Sequence, residues 1–119
     1  MKRVLWISRH EMTKEQRADL ERVLGGPVEL TVRAETAEDV SQLRPAVEAA
    51  DVVAAVLPPD LLGELLNLAG EKMVLRAVTL RVPMDAVRTL PDGRREREFA
   101  YVHQYWEQVL RLRLETRRL

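Results

Sequence analysis

A chain of 119 residues, 46% hydrophobic and 32% charged, fits one soluble globular domain spanning residues 1–119 and argues against disorder. The lack of cysteine excludes disulfides, thiolate metal sites and thiol catalysis. Nineteen basic residues balance nineteen acidic ones, so no net charge draws the chain to duplex nucleic acid.

In chain order, Arg3 to Ser8 reads as a first strand, carried by the apolar run Val4-Leu5-Trp6-Ile7. Thr13-Lys14-Glu15-Gln16 then forms a capping box that opens a helix. Leu20, Val23 and Leu24 continue its apolar face, and Gly25-Gly26 end it. Val28 to Val32 is a second strand whose alternation leaves one face wet or at an edge. Thr36 and Asp39 mark another helix start, with Val40, Leu43, Val47 and Ala50 at helical spacing. Pro45 should bend that helix or confine its regular part to the second half.

Asp51 to Leu57 is continuous Val/Ala/Leu, the pattern of a strand covered on both sides. Pro58-Pro59 stops it and shapes the loop. A third helix follows from about Asp60 to Gly70, and Met73 to Val82 is a fourth strand. This alternation predicts an α/β fold, a Rossmann-like three-layer sandwich with a mostly parallel sheet. Leu90-Pro91-Asp92-Gly93-Arg94 is a turn, and a hairpin is expected around it with arms Ala86–Leu90 and Arg95–Val102. A competing reading makes 96–109 a helix, because Phe99, Val102, Trp106 and Val109 share a helical face. Leu110, Leu112 and Leu114 alternate with Arg111, Arg113 and Glu115, which predicts a closing strand.

The longest apolar run, Val52 to Leu57, is too short to span a bilayer, and Ser8-Arg9-His10-Glu11 interrupts any signal-peptide core. A cytoplasmic protein without membrane contact is expected. The charge is segregated along the chain: residues 10–71 carry 5 basic and 13 acidic side chains, and the two ends are basic. Such a domain can present a basic face to an anion, or its two halves can attract each other within the fold or across a dimer.

Glycine-rich nucleotide fingerprints, phosphate loops and the paired carboxylates of phospho-receivers are missing. Two histidines far apart are too few for a metal centre, so no metal or cofactor is expected. What remains is the end of the first strand, where a parallel sheet places its ligand crevice. Ser8, Arg9 and His10 arrive there together, and the helix that Thr13 opens offers free N–H groups and a positive dipole end to an anion. Arg9 can pair bidentately with that anion, and His10 can act as acid or base. Ser8 and Thr13 can equally serve as plain helix caps. Arg81, at the expected end of the fourth strand and beside the first, should face the same crevice. Phe99, Tyr101, His103, Tyr105 and Trp106 cluster late in the chain and can stack on adenine-like bases, anchor a dimer or plug the core.

The run Ser8, His10, Met12, Thr13 and Gln16, between a strand and a helix, resembles the amino termini of small CRISPR-associated proteins of type III systems. These are compact Rossmann-like relatives of CARF domains, and many end in a hairpin and a closing strand. The resemblance implies an antiviral-defence protein: a homodimer that binds cyclic oligoadenylate and either cleaves it as a metal-independent ring nuclease or sequesters it. It implies that Ser8 and Arg9 align the 2′-hydroxyl and stabilise the phosphorane, with His10 or His103 assisting the leaving group. Thr13, Arg81, His103 and Trp106 would bind the ligand. Two other readings stand beside it: a small α/β protein-interaction module without catalytic activity, and a binder or enzyme for another nucleotide-like metabolite.

Overall fold

Residues 1–33, 40–113 and 115–119 are described by a computed structural model. Strand β1 (Lys2–Ile7) lies inside a five-stranded sheet, with β2 (Val28–Arg33) on one side and β3 (Val52–Ala55) on the other. Beyond β3 come β4 (Met73–Thr89) and β5 (Arg95–Gln108), giving the order β2-β1-β3-β4-β5. The first four strands are parallel, and β5 returns antiparallel to β4. The fold is therefore α/β with a mostly parallel sheet, as the alternation of elements predicts.

Successive side chains of a strand point to opposite faces, and this sorts the core into two clusters. Leu5, Ile7, Val53, Ala55 and Val74 pack with residues of α2 (Arg44–Ala49) and α3 (Pro59–Ala69). Val4, Trp6, Val52, Ala54 and Leu75 pack instead with Leu20 of α1 (Lys14–Leu24), and Trp106 joins them from β5. Strand β3 is buried along its whole length, which accounts for its uninterrupted apolar sequence. Strand β2 is an edge: Val28 is buried, but Val32 is exposed.

Local chemistry sets the helix ends. Thr13 Oγ1 accepts from the Gln16 N–H at 3.1 Å, and Gln16 Oε1 accepts from the Thr13 N–H at 2.9 Å, so the capping box is complete. Gly25 ends α1 at φ 82°, a left-handed conformation that glycine adopts without a Cβ clash. Pro45 lies in the first turn of α2, behind a 3₁₀ turn at Val40–Leu43, so the proline confines the α-helix to the second half of the segment. The expected helix start at Thr36 and Asp39 falls outside the described residues. At the other end of α2, Lys72 Nζ donates to the carbonyls of Val47 and Glu48 at 2.7 and 2.9 Å, where helix carbonyls lack intrahelical partners. Pro59 occupies the first position of α3, which needs no N–H.

The carboxyl-terminal third departs from expectation. Strand four does not stop at Val82: β4 continues through Pro83 to Thr89 and pairs with β5 as one long ribbon. Proline is tolerated there because it falls at a register break, the β4–β5 pairing being interrupted between Pro83 and Val87; the β3 pairing has already ended at Leu75. Residues 95–108 are strand, so the helical alternative for 96–109 is wrong. The turn forms as expected, with Gly93 at φ 86° and the Leu90 N–H donating to the Arg94 carbonyl at 2.7 Å. Among the described residues no closing strand follows. The described residues between Val109 and Leu119 are irregular, because β5 already occupies the edge of β4 and the segment turns along α3, with Leu112 beside Gly63. Alternating leucines suit any extended segment laid on an apolar surface. Among the described residues no helix is long and apolar enough to cross a membrane.

Candidate functional site

The chain leaves β1 toward β2 on one side and later returns to place β3 on the other, so the strand order reverses between β1 and β3. Open α/β sheets bind ligands outside the carboxyl ends of the strands at such a switch point. A cleft of about 800 Å³ lies there, within the size range of small-molecule sites. Its walls come from the end of β1 (Trp6, Ser8, His10), the start of α1 (Thr13, Gln16), Val56 after β3, and the ribbon residues Thr79, Tyr101, Val102 and His103.

The turn after β1 is fixed from two sides. Ser8 is buried, and its Oγ accepts from the His10 N–H at 3.1 Å. Trp6 Nε1 donates to the His10 carbonyl at 2.9 Å. The serine hydroxyl thus serves the backbone, while the exposed His10 side chain lines the cleft. On the opposite wall His103 is 5% exposed, and its Nε2 lies 2.8 Å from Asp19 Oδ2. A carboxylate only accepts, so Nε2 carries the hydrogen of this bond. Nδ1 is buried and has no hydrogen-bond partner among the described residues. The His103 hydrogen bond holds the Asp19 carboxyl below its ordinary value of 3.8, helped by Arg22, whose Nε donates to Oδ1 at 2.8 Å.

Of the residues expected in the crevice, Ser8, His10, Thr13 and His103 meet. Arg9 is exposed next to Ser8 and is not among the lining residues. Arg81 is displaced further. It is not beside β1, because β3 intervenes, and it does not end a strand, because β4 runs on. Its guanidinium instead lies 3.6 Å above the Phe99 ring on the ribbon. Trp106 is buried behind the cleft: it packs edge-on against Trp6 at 5.8 Å and donates from Nε1 to the Gln16 carbonyl at 2.9 Å. Its place is that of a core plug.

The cleft also differs from expectation in charge. Glu11 and Glu15 line it, and no lysine or arginine does. Sequence reasoning missed Asp19 altogether, since 84 residues separate it from His103 and no local pattern joins them. Trp6 and Tyr101 carried a signal, an indole at a strand end and a member of the late aromatic cluster. Among the described residues no three His, Cys, Asp or Glu side chains gather to hold a metal ion. A second hollow, of about 750 Å³, separates α3 from residues 108–113 and is lined by charged side chains such as Glu64, Lys72 and Arg111.

No known protein family, curated protein or solved structure matches this chain.

Proposed function

We propose that this chain binds cyclic oligoadenylate in the cleft between β1, α1 and the ribbon, as a homodimer with a Rossmann-like three-layer body. The observation that carries the reading is the convergence at the strand-order switch: a helix start, the Ser8-to-His10 turn and the Asp19-held His103 on facing walls. Helix N–H groups suit a phosphate, and the exposed Tyr101 ring suits an adenine face. A cleft of this size takes part of a ring, so the remainder falls to a second copy. Glu11 and Glu15 oppose phosphate on this side. The cationic groups the ligand requires must therefore come from Arg9 or from the other protomer.

Cleavage in such a site uses the ligand's own 2′-hydroxyl. Its oxygen attacks the adjacent phosphorus as its proton passes to an imidazole. The bond from phosphorus to the 5′-oxygen breaks, and that oxygen takes up a proton, leaving a 2′,3′-cyclic phosphate and a 5′-hydroxyl. His10 is the exposed imidazole on the cleft wall and takes this role; His103, with Nε2 on Asp19 and Nδ1 buried, shapes the wall. A site that binds without aligning the hydroxyl sequesters the ring intact.

The test is the melting temperature of the purified chain with cyclic tetra- and hexa-adenylate, without metal, followed by chromatography of the nucleotide. A ligand at a hundred times its dissociation constant stabilises by about 2.7 kcal/mol. Stabilisation with linear products identifies a nuclease, and stabilisation with the ring intact a sponge. No shift with either ring removes this reading in favour of a protein-interaction module, which the exposure of Tyr101 (72%) and Tyr105 (51%) favours.

A further inference from the structure

The ribbon of β4 and β5 leaves the body of the protein: pairing with β3 ends at Leu75, yet β4 runs on to Thr89. Its two faces differ in charge, and the cause is the run Arg95-Glu96-Arg97-Glu98. Side chains of a strand alternate between faces, so both arginines fall on one face and both glutamates on the other. His103 fixes which is which, because it bonds to Asp19 of α1 and no extra residue enters β5 between Arg95 and His103. The α1 side therefore carries Arg95, Arg97, Phe99, Tyr101 and His103 in one row that ends in the cleft.

The row is open. Arg95, Arg97 and Tyr101 are exposed, and neither arginine has an ion-pair partner among the described residues, whereas Glu96 on the far face pairs with Arg88. Arg81 pairs with Tyr101 across the ribbon, shares its face, and lays its guanidinium 3.6 Å above the Phe99 ring. Of the strand carboxylates, only Asp85 is assigned to neither face by the register, since it lies in the break between Pro83 and Val87. Three arginines against it leave this face positive.

We propose that this face binds single-stranded nucleic acid, with bases stacked on Tyr101 and on the Phe99–Arg81 pair and phosphates held by Arg97 and Arg95. Alternate residues of a strand stand about 6.6 Å apart, a step that an unstacked nucleotide chain can follow. Arg97, Phe99, Ala100, Tyr101 and Val102 keep the order cation, aromatic, small, aromatic, valine with which RNA-reading sheets stack bases. Glu98 stands where that order has glycine, and Gln104 where it has a further ring. The likeness is one of chemistry, since β5 is the edge strand of a mostly parallel sheet. A duplex keeps its bases paired inside and offers Tyr101 nothing to stack on. An acidic peptide would use the arginines and leave the rings idle. Glu11 and Glu15 turn phosphates away from the cleft, so the strand stops at Tyr101 and the footprint is about four nucleotides. This surface goes beyond the ring reading and shares only Tyr101 with it.

The experiment is fluorescence anisotropy of a labelled single strand of about ten nucleotides, as RNA and as DNA, at about 50 mM salt. Either strand should bind, and the tighter one names the sugar. The same sequence as a duplex, and a polyglutamate peptide, should each bind at least about tenfold more weakly. Tyr101→Leu should weaken binding about tenfold and leave its salt dependence unchanged. Arg95→Gln with Arg97→Gln should weaken it and lower the slope of log K against log salt by about 1.4. Arg88→Gln, on the far face, should change neither. All four positions are exposed, and the melting temperature of each variant verifies that it is folded. The inference is overturned by no binding of either strand, by equal binding of the duplex or the peptide, by wild-type binding in Tyr101→Leu, or by an equal loss in Arg88→Gln. A bound strand without stabilisation by either ring keeps this face and removes the ring; the reverse result keeps the ring and removes this face.

Discussion

Asp19 and His103 show how one contact couples distant parts of the chain. The aspartate sits on α1, the histidine on β5, and their hydrogen bond closes the wall of the cleft. Because the folded pKa of Asp19 is depressed, its stabilisation is complete above the unfolded value of 3.8 and is lost as pH falls through the folded one. Asp19→Asn keeps an acceptor and removes the charge, so it should destabilise by about 1–2 kcal/mol at neutral pH. Thermal melting from pH 7 downward checks this: the gap between wild type and variant should hold to about pH 5 and shrink below 3.8. A gap that persists into strong acid would assign the effect to packing. Asp51 follows the same sign through another partner, since the Arg3 N–H donates to its Oδ2 at 2.8 Å and lowers its pKa.

Between elements, α1 and β5 are joined chiefly through Trp106. The indole fills the space beside Trp6, and its Nε1 ties β5 to the first turn of α1. Trp106→Phe retains an aromatic ring but loses that bond and some volume, and should cost about 1–2 kcal/mol. Chemical denaturation measures the loss, and Trp6 fluorescence reports whether the ring environment is kept. A neutral outcome would mean that α1 docks through Leu20 and Leu24 alone, which also belong to that cluster. The length of β4 has its own cause: Val, Thr, Leu and Arg run to Val82 without a breaker, and Pro83 falls at a register break in the ribbon.

For the whole molecule, the body and the ribbon differ in how they are stabilised. Strands β1 and β3 lie between buried side chains on both faces, whereas the outer ribbon is two-stranded. Amide hydrogen exchange should separate them. Amides of β1 and β3 should exchange only on global unfolding, and those near residues 80–88 and 96–102 through local opening, which a bound single strand should slow. Equal protection of both sets in the free chain would mean the ribbon is stable unaided.

Local sequence determined most of the body. The capping box at Thr13 and Gln16, the proline starts of α2 and α3, the glycine that ends α1, and the apolar runs of β1 and β3 each act over a few residues. A reader of the sequence alone therefore finds the order of elements, the turn at Gly93, and Ser8, His10 and Thr13 at a strand mouth. Tertiary structure alone decided the rest, because strand neighbours are chosen by packing rather than spacing. It put β3 between β1 and β4 and so removed Arg81 from the crevice, buried Trp106, and left Leu110 and Leu112 without a strand to belong to. It also paired Asp19 with His103, placed two glutamates where a basic crevice was expected, and extended β4 and β5 beyond the body. Such contacts depend on which surfaces are left after the core has closed, and no periodicity within one segment encodes them.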